Sequence, residues 1–314
     1  MKTPKFWNNK NIVAFLLLPL SILYYLIYKL RCFVNFNPYK SKIPVICVGN
    51  IVAGGAGKTP TAIEIAKMLK QNNKTFCFLS KGYGGKFEGV VKLDNNSIAE
   101  VVGDEPLLLF EFGDVFVSKN RVKGLKYINN NCNYDYIIID DGLQNPTFIK
   151  DKIVLVIDGK FGFGNDFILP AGALRDKFKN IYKKVDVVIL NNGNNKHIQD
   201  LCNKYNIKII QSKIVADNVD DFKNKEYVAF CGLGRPEKFK NTLLKNEIKL
   251  KDFIAFGDHY KYTDKDIERL EKSSSNLITT KKDWVKLSNK NKRQIKYLDI
   301  HIELDNNELK KVLL

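Results

Sequence analysis

The feature that most constrains the fold is a glycine-rich loop between an apolar segment and a helical pattern. The apolar run Ile43–Val48 is followed by Gly54-Gly55-Ala56-Gly57-Lys58-Thr59. Glycines let consecutive backbone N–H groups turn toward an anion, lysine adds a positive charge, and a threonine hydroxyl is a ligand for Mg²⁺. Pro60 suits a first helical turn, and apolar residues then recur at helical spacing at Ala62, Ile65, Ala66 and Leu69. The segment predicts a strand–loop–helix unit that binds the phosphates of a nucleoside triphosphate.

The loop departs from the full phosphate-loop pattern at one position. The pattern has glycine five residues before Gly57, where this chain has Val52. The alternative interpretation is a glycine-rich turn with an exposed lysine. Nucleotide binding is favoured because strand, loop and helix follow one another in the required order.

Charge and cysteine content narrow the classes of partner. The chain has 51 Lys and Arg against 34 Asp and Glu, a formal net charge of +17, which favours acidic partners such as nucleic acid, anionic lipid or phosphorylated substrates. No recognition helix, zinc spacing or aromatic RNA-binding signature accompanies this charge, so we expect no nucleic-acid partner. The six cysteines form no Cys-x-x-Cys pair and are interpreted as reduced core residues.

The N-terminal region contains an uncharged apolar run, Ile12–Tyr28, with basic residues on both sides. Its seventeen residues are at the short limit for a membrane span. A signal peptide would need a small-x-small cleavage site, which does not follow, and a buried core helix is the other alternative. We expect an uncleaved helix that docks the protein on a membrane. The sequence leaves open whether this helix spans the bilayer or lies in the interface.

The remaining apolar runs predict an α/β fold. Strand-like runs that end in a polar or glycine turn are Thr75–Leu79, Val115–Val117, Tyr136–Ile139, Ile153–Ile157 and Val185–Leu190. Because helical patterns separate several of them, they indicate a P-loop NTPase-like, mostly parallel sheet flanked by helices, with ligands at the carboxyl ends of the strands. Further strands are predicted at Ile207–Ile210, Tyr227–Phe230, Phe253–Phe256 and Leu277–Thr279. We therefore expect an N-terminal membrane-associated helix and linker (1–40), a kinase-like core (41–205) and a second, smaller α/β lobe (206–314).

Two aspartates follow the predicted strand Tyr136–Ile139. Asp140 and Asp141 stand at the strand end that faces the phosphate loop, where a carboxylate commonly completes a Mg²⁺–nucleotide site. The alternative is a solvated turn, which Gly142 would favour. The preceding phosphate loop makes the metal-site interpretation the preferred one.

Three further segments contain residues that could be catalytic, but each segment alone is weak evidence for a functional role. Asp104 precedes an apolar run and suits a helix N-cap, and His259 follows Asp258 just past a predicted strand. A turn from Leu169 leads to Arg175, which suits neutralisation of a phosphoryl group but is also an ordinary surface salt-bridge residue.

Together these segments resemble the tetraacyldisaccharide 4′-kinases of lipid A synthesis. The matching signatures, in chain order, are Val48-Gly49-Asn50 with Gly54–Pro60, Ser80–Gly85, Gly103–Pro106, Asp140-Asp141-Gly142-Leu143-Gln144, Leu169–Gly172 with Arg175, Cys231–Phe239, Asp258-His259 and Thr279–Asp283. The resemblance extends over nearly the whole chain.

The resemblance implies an ATP- and Mg²⁺-dependent enzyme. Such an enzyme transfers the γ-phosphoryl group of ATP to the 4′-hydroxyl of an acylated glucosamine disaccharide 1-phosphate, at the cytoplasmic face of a Gram-negative inner membrane. Inner-membrane lipids are then an expected partner, and no protein partner is implied.

The resemblance also implies roles for individual residues. Asp104 would be the general base with His259 as its partner, and Lys58 would hold the β- and γ-phosphates together with the rest of the loop. Arg175 would offset developing charge. The expected Mg²⁺ ligands are Thr59, Asp140, Asp141 and Asp176. The residues expected near the acceptor are Ser80, Lys81, Gly82, Tyr83 and Gln144.

Four positions depart from the family pattern: Lys81 replaces an arginine, Asn145 a histidine, Asp176 a glutamate and Lys281 a glutamate. Charge type is kept at Lys81 and Asp176, although lysine lacks the bidentate phosphate contacts of arginine. Contacts at Asn145 and Lys281 are therefore in question.

Two other functions are compatible with the phosphate loop. Thr280-Lys281-Lys282-Asp283 also fits the Thr-Lys-x-Asp form of a guanine-specificity motif, which would indicate a membrane-associated GTPase. The other is a nucleotide-binding membrane protein without catalysis. Competition between GTP and ATP separates the first from a kinase, and transfer of label to an acylated disaccharide separates the second.

Overall fold

The computed structural model describes residues 3–34 and 37–314. Over these ranges the protein consists of helices and two sheets. The strands in chain order are β1 (Val45–Gly49), β2 (Phe76–Ser80), β3 (Val90–Lys92), β4 (Asp114–Ser118), β5 (Tyr136–Asp140), β6 (Lys152–Asp158), β7 (Val187–Asn191), β8 (Lys208–Ala216), β9 (Glu226–Cys231), β10 (Lys249–Ala255), β11 (Leu277–Thr280), β12 (Lys296–Leu298) and β13 (Ile300–Leu304).

The α-helices pack on both faces of the larger sheet and around the smaller one. In chain order they are α1 (Ile12–Leu16), α2 (Leu18–Val34), α3 (Lys58–Gln71), α4 (Ala99–Val102), α5 (Asp104–Phe110), α6 (Arg121–Asn131), α7 (Phe178–Ile181), α8 (Lys196–Lys204), α9 (Pro236–Lys245), α10 (Asp264–Glu271), α11 (Lys281–Trp284), α12 (Asn289–Lys292) and α13 (Asn306–Leu313).

The larger sheet has nine strands within the described ranges, in the order β13-β8-β7-β6-β1-β5-β2-β4-β3. All neighbouring strands are parallel except the two edge pairs, β13 with β8 and β3 with β4. β1 lies near the middle and is buried along its whole length. Central strands of this kind need apolar residues on both faces, which explains the unbroken apolar runs in the sequence. The predicted α/β fold with a mostly parallel sheet is confirmed.

The smaller sheet has the strand order β10-β9-β11-β12, and its neighbouring strands are parallel. Its central strand β9 carries Tyr227 and Phe230, which are buried in the cores on opposite faces of the sheet. The sheets do not divide the chain at residue 205, because β8 and β13 both lie beyond that position and pair within the large sheet. The division into regions 1–40, 41–205 and 206–314 stays a prediction.

The N-terminal apolar run forms two consecutive helices, α1 and α2, with Pro19 in the first turn of α2, where a missing N–H is tolerated. One side of α2 packs on the protein through Tyr24 and Tyr25. The other side carries exposed apolar residues, among them Ile22, Leu23, Leu26, Ile27 and Leu30. Among the described residues, no helix combines the length and the hydropathy that crossing a membrane requires.

A buried serine fixes α2 to the large-sheet region. The Ser21 hydroxyl donates to the carbonyl of Ile168 at 2.7 Å and accepts from the backbone N–H of Ala171 at 3.0 Å. Both bonds are buried. Loss of the hydroxyl would leave the backbone N–H of Ala171 without this partner, whereas the carbonyl of Ile168 would still accept from the N–H of Gly172.

We expect Ser21→Ala to lower the stability of the protein by about 1–3 kcal/mol, because a buried unsatisfied group carries that cost. Thermal and chemical unfolding measure the change. Ser275→Ala is the matched control, since Ser275 lies in an exposed loop. Equal effects of the two substitutions would contradict a docking role for Ser21.

Candidate active site

The glycine-rich loop connects β1 to α3 and takes a conformation that requires glycine. Gly57 precedes α3 with a φ of 95°, and a Cβ at this position would lie 2.3 Å from Nδ2 of Asn191. The same Asn191 amide donates to the carbonyl of Ala56 at 3.0 Å, which holds the loop against the end of β7. The first N–H groups of α3, beginning at Lys58, therefore face an open cleft, as in an anion-binding helix N-terminus.

The cleft has a volume of about 2130 Å³ and is lined by residues of both sheet regions. It opens at the carboxyl ends of the parallel strands, where Ser80, Asp140 and Asp158 end β2, β5 and β6. This is the position at which open α/β sheets bind their ligands. The glycine-rich loop lines the same cleft.

Asp140 is joined to the loop through the Thr59 hydroxyl, which donates to Oδ2 of Asp140 at 2.8 Å. The other carboxylate oxygen, Oδ1, is buried and accepts no hydrogen bond. Burial, together with the negative charge of Glu105, raises the pKa of Asp140 to about 7. A hydroxyl and a carboxylate with a free oxygen, beside a phosphate loop, fit the ligands of a Mg²⁺ ion that is also bound by phosphate.

Asp141 adopts a left-handed conformation, with a φ of 57°, and turns toward cationic groups. Nη1 of Arg175 lies 3.2 and 3.3 Å from its two carboxylate oxygens, and Nζ of Lys58 lies 3.8 Å from Oδ1. Burial raises the pKa of Asp141, but the charges of Lys58 and Arg175 outweigh it and the net shift is downward. The two adjacent aspartates therefore have opposite pKa shifts, upward for Asp140 and downward for Asp141.

A hydrogen-bonded pair, Asp104 and His259, joins the two sheet regions. Asp104 begins α5, and His259 lies in the loop after β10 with a φ of 55°. Nδ1 of His259 is 2.9 Å from Oδ2 of Asp104, and the Tyr83 ring lies 5.1 Å from the imidazole. Burial alone would raise the pKa of Asp104, but the bond to His259 and the charge of Lys282 lower it to about 2. Asp104 is thus ionised at neutral pH.

Lys282 of α11 connects this pair to the aspartates. Its Nζ lies 3.1 Å from Oε1 of Glu105, 3.5 Å from Nε2 of His259 and 3.9 Å from Oδ2 of Asp104. Glu105 in turn raises the pKa of Asp140 by its charge. One electrostatic network therefore extends from the Asp104–His259 pair to the phosphate loop.

The structure brings most of the predicted site residues into one cleft. Gly54–Thr59, Asp140, Asp141, Arg175 and His259 line it, and Ser80, Lys81 and Tyr83 lie along the same surface. Gly82 contributes backbone, with a φ of 62° beside the ring of Phe87.

Two predicted site residues point elsewhere. Asp176 accepts hydrogen bonds from the Tyr28 hydroxyl at 3.1 Å and from Nδ2 of Asn180 at 2.5 Å, so its carboxylate is used to hold α2. The prediction of Asp176 as a metal ligand does not fit this geometry. Gln144 donates to the backbone carbonyl of Asn50 at 2.7 Å and supports the loop after β1 instead of lining the cleft.

Sequence reasoning missed several charged residues of the cleft. Arg121, at the start of α6, is buried and donates from Nη2 to the carbonyl of Asp140 at 3.3 Å, and burial lowers its pKa to about 10. From the smaller sheet region, Lys238 bonds the carbonyl of Gly55 at 2.7 Å and also contacts Asp158. No local signal indicates Arg121, because it lies beyond the end of β4, a strand next to the sheet edge, and nothing local indicates the target of Lys238.

Asp283, the residue that would recognise guanine in the GTPase alternative, is not available to bind a base. The carboxylate of Asp283 is buried and accepts from the backbone N–H of Gly232 at 3.0 Å, the hydroxyl of Tyr262 at 3.0 Å and Nζ of Lys286 at 2.7 Å. A carboxylate occupied in this way is not presented to a base.

Two positions that depart from the family pattern have local partners. Lys281 lies 2.7 Å from a Glu111 carboxylate oxygen and 3.2 Å from one of Asp299, so its charge is compensated inside this chain. Asn145 accepts from the backbone N–H of Thr147 and stabilises a turn.

Comparison with known proteins gives consistent matches along the whole chain. The family model described as tetraacyldisaccharide-1-P 4′-kinase matches residues 13–314. Tetraacyldisaccharide 4′-kinases of Rickettsia canadensis and Rickettsia akari are 38% and 36% identical over 312 and 310 residues, which is 98% of this chain and 94% of each relative. A crystal structure of LpxK from Aquifex aeolicus in complex with ATP is similar with a TM-score of 0.78 and 28% identity, and covers 96% of this chain and 98% of that one.

The raised pKa of Asp140 predicts that the stability of the protein depends on pH when it is measured in EDTA and without nucleotide. A carboxyl with a folded pKa of about 7 favours the folded state at low pH, and this contribution is lost as pH rises from about 4 through 7. Asp140→Asn cannot ionise, so its stability relative to the wild type should rise by about 1–2 kcal/mol between pH 5.5 and 8.

Asp114→Asn is the matched control, because burial is outweighed by hydrogen bonds from Lys92 and Tyr134, which lower the pKa of Asp114. This lowered pKa contributes stability above about pH 4, all of which is present at both pH values, so the deficit of the control variant should be the same at pH 5.5 and 8. Chemical unfolding at the two pH values measures both variants. A pH-independent effect of Asp140→Asn would contradict the raised pKa.

Proposed function

The chain belongs to the family of tetraacyldisaccharide 4′-kinases, and from this premise we infer that it transfers the γ-phosphoryl group of ATP to the 4′-hydroxyl of a tetraacyldisaccharide 1-phosphate. This is a step of lipid A synthesis. The observation that carries the inference is that the phosphate loop and His259 line one cleft, with Asp104 bonded to His259 behind it.

We assign the phosphates of ATP to the loop Gly54–Thr59. The N–H groups at the start of α3 and the ammonium group of Lys58 would hold the β- and γ-phosphates. Mg²⁺ supplies charge neutralisation between these phosphates when it is bound, and Thr59, Asp140 and Asp141 would hold it. The free Oδ1 of Asp140 supports this assignment.

We assign proton transfer to Asp104. Its carboxylate is ionised at neutral pH and so can accept the proton of the attacking hydroxyl. The contact with His259 orients the carboxylate, while the charge of Lys282 keeps Asp104 ionised. The acceptor sugar would then lie between this pair and the phosphate loop, along Ser80, Lys81 and Tyr83.

Arg175 has the geometry of a charge-neutralising residue. Its guanidinium contacts Asp141 beside the loop, which fixes its planar group next to the position that the transferred phosphoryl group would take. A positive charge held there favours a transition state in which negative charge spreads over the phosphoryl oxygens.

We further propose that the enzyme works at the cytoplasmic face of the inner membrane. The exposed apolar side of α2 supports membrane contact, because a soluble surface rarely carries so many adjacent apolar side chains. In this organisation, residues 1–40 dock the enzyme, 41–205 provide the phosphate-binding core and 206–314 complete the cleft with His259 and Lys282.

The direct test of the function is incubation of purified protein with γ-labelled ATP, Mg²⁺ and tetraacyldisaccharide 1-phosphate in detergent. Label should appear on the lipid, and chemical degradation should locate it at the 4′-position. Excess unlabelled ATP should compete with the labelled donor far better than GTP. If the protein bound ATP but no label appeared on the lipid, the kinase assignment would be rejected in favour of a nucleotide-binding protein without catalysis.

We expect Asp104→Asn to lower kcat by about 10²–10⁴-fold, because general-base catalysis contributes that range, and to leave the affinity for Mg²⁺–ATP nearly unchanged. Steady-state kinetics and calorimetric nucleotide titration provide the two readouts. Asp258→Asn is the control, since this carboxylate lines the same cleft but lies 4.0 Å from Nε2 of His259. A variant at Asp104 that kept a tenth of the wild-type rate would refute the assignment.

The membrane contact predicts a loss of lipid binding after changes on the outer side of α2. Leu23 and Ile27 are 55% and 60% exposed and lie one helical turn apart. Leu23→Gln with Ile27→Gln should weaken binding to vesicles by about tenfold or more, because two apolar side chains no longer enter the lipid. Vesicle sedimentation measures binding.

The matched control replaces two equally exposed apolar residues elsewhere, Leu244→Gln with Ile98→Gln, which are 52% and 53% exposed. These changes should leave vesicle binding as it is. Nucleotide affinity should be unchanged in both double variants. Unaltered binding by the α2 variant would exclude this side of the helix as the membrane contact.

A further inference from the structure

A short basic segment, residues 177–184, lies beside the N-terminal helices. It contains α7 and the 3₁₀ helix Tyr182–Lys184, and it has lysine at 177, 179, 183 and 184 with no Asp or Glu. All four lysines are exposed. Among the residues that the structure describes, none of the four forms an ion pair with a carboxylate.

The segment holds its lysines outward because its apolar residues are used for packing. Phe178 is buried, and the rings of Tyr182 and Tyr205 are stacked with centroids 3.9 Å apart. These contacts belong to the same core cluster that receives Tyr24 and Tyr25 of α2. The lysines are therefore presented by a packed part of the protein and not by a free loop.

The segment is joined to α2 through two tyrosines of that helix. Nδ2 of Asn180 donates to the Tyr25 hydroxyl at 2.9 Å, and the Tyr28 hydroxyl donates to Asp176 at 3.1 Å, directly before the segment. Near the carboxyl end of α2, burial lowers the pKa of Lys150, and the charge of Lys184 adds to this shift. Lys150 and Lys184 thus lie near each other close to this end of α2.

The N-terminal helices and their flanks in the sequence carry charge of one sign. The first acidic residue of the chain is Glu64, so α1, α2 and their flanks carry only basic charges, including Lys29 on α2. Lysines beside an apolar surface interact favourably with anionic headgroups at the level where the apolar side chains enter the bilayer.

The four lysines are separate from the catalytic cleft. None of them is among the residues that line it, whereas Lys58, Lys81, Lys238 and Lys282 all are. The phosphate groups of ATP and of a sugar bound at the cleft therefore have their own basic residues. A different anion is needed to explain the segment.

We propose that Lys177, Lys179, Lys183 and Lys184 form a second membrane contact that binds the anionic headgroups of phospholipids while the apolar side of α2 enters the bilayer beside them. This inference rests on the membrane association proposed above. It gives the enzyme a preference for anionic membranes that the apolar helix alone would not provide.

The test compares sedimentation with vesicles of phosphatidylcholine alone and with vesicles that contain one quarter phosphatidylglycerol. Wild-type protein should bind the anionic vesicles more tightly, and high salt should remove the difference. The variant K177Q/K179Q/K183Q/K184Q should lose about tenfold or more in affinity for anionic vesicles and keep the wild-type affinity for neutral ones.

The control variant, K225Q/K249Q/K265Q/K272Q, makes the same change in net charge at exposed lysines of the smaller sheet region. It should bind anionic vesicles as the wild type does. An equal loss in both variants would show a general charge effect and overturn the proposal, as would full binding by the variant at 177–184.

Kinase assays in detergent separate this proposal from the proposed function. The variant at 177–184 should keep the wild-type kcat and KM for the acceptor. A raised KM with unchanged vesicle binding would assign the segment to the substrate phosphate and overturn the membrane contact. Absence of binding to either vesicle by the wild type, with normal kinase activity, would remove the membrane proposals and leave the kinase assignment intact.

Discussion

The parallel pairing of β1 with β5 is the constraint on which the rest of the site depends. Its register sets Val48 beside Asp140, so the chain leaves β1 for the phosphate loop at the level where β5 presents its two aspartates. The hydrogen bond from Thr59 to Asp140 follows from this alignment. A shift of one residue would turn the Asp140 side chain to the other face of the sheet. Sheet register, and not any contact to ligand, therefore assembles the donor half of the site.

The acceptor half depends on a different kind of interaction, a chain of charges between two sheet regions. Asp104 and Glu105 begin a helix packed on the large sheet, whereas His259 and Lys282 come from the smaller sheet region. Each carboxylate in this network faces a cation, while Asp140 lies where burial and Glu105 both oppose its ionisation. The site therefore keeps Asp104 ionised at neutral pH, whereas the pKa of Asp140 lies near neutral pH. Two carboxyl groups with such different pKa values suit two different roles, proton acceptance and metal binding.

Much of the fold and the donor site could be predicted because the signals are local. Glycine spacing, an apolar strand and a carboxylate after a strand each occupy a few residues, and the predicted parallel sheet and family are confirmed. The direction in which a side chain points depends on partners that are distant in sequence, so it could not be predicted from the local pattern. Asp176 follows Arg175 directly but turns to Tyr28, 148 residues away. Likewise β13 has an alternating polar sequence, and its antiparallel pairing with β8 is decided by a partner some eighty residues earlier.

Hydroxyl groups on the apolar helix have a consequence for the orientation of the whole enzyme. A helix with apolar residues on every side has no preferred rotation about its axis, since each rotation buries a similar surface. Ser21 restricts this freedom together with Tyr25 and Tyr28. Its two buried hydrogen bonds to the backbone at 168 and 171, and the bonds of the two tyrosine hydroxyls, form together at one rotation only. The side of α2 that faces away from the protein is then fixed. If that side meets the bilayer, three hydroxyl groups on one helix set the angle at which the cleft faces the membrane surface.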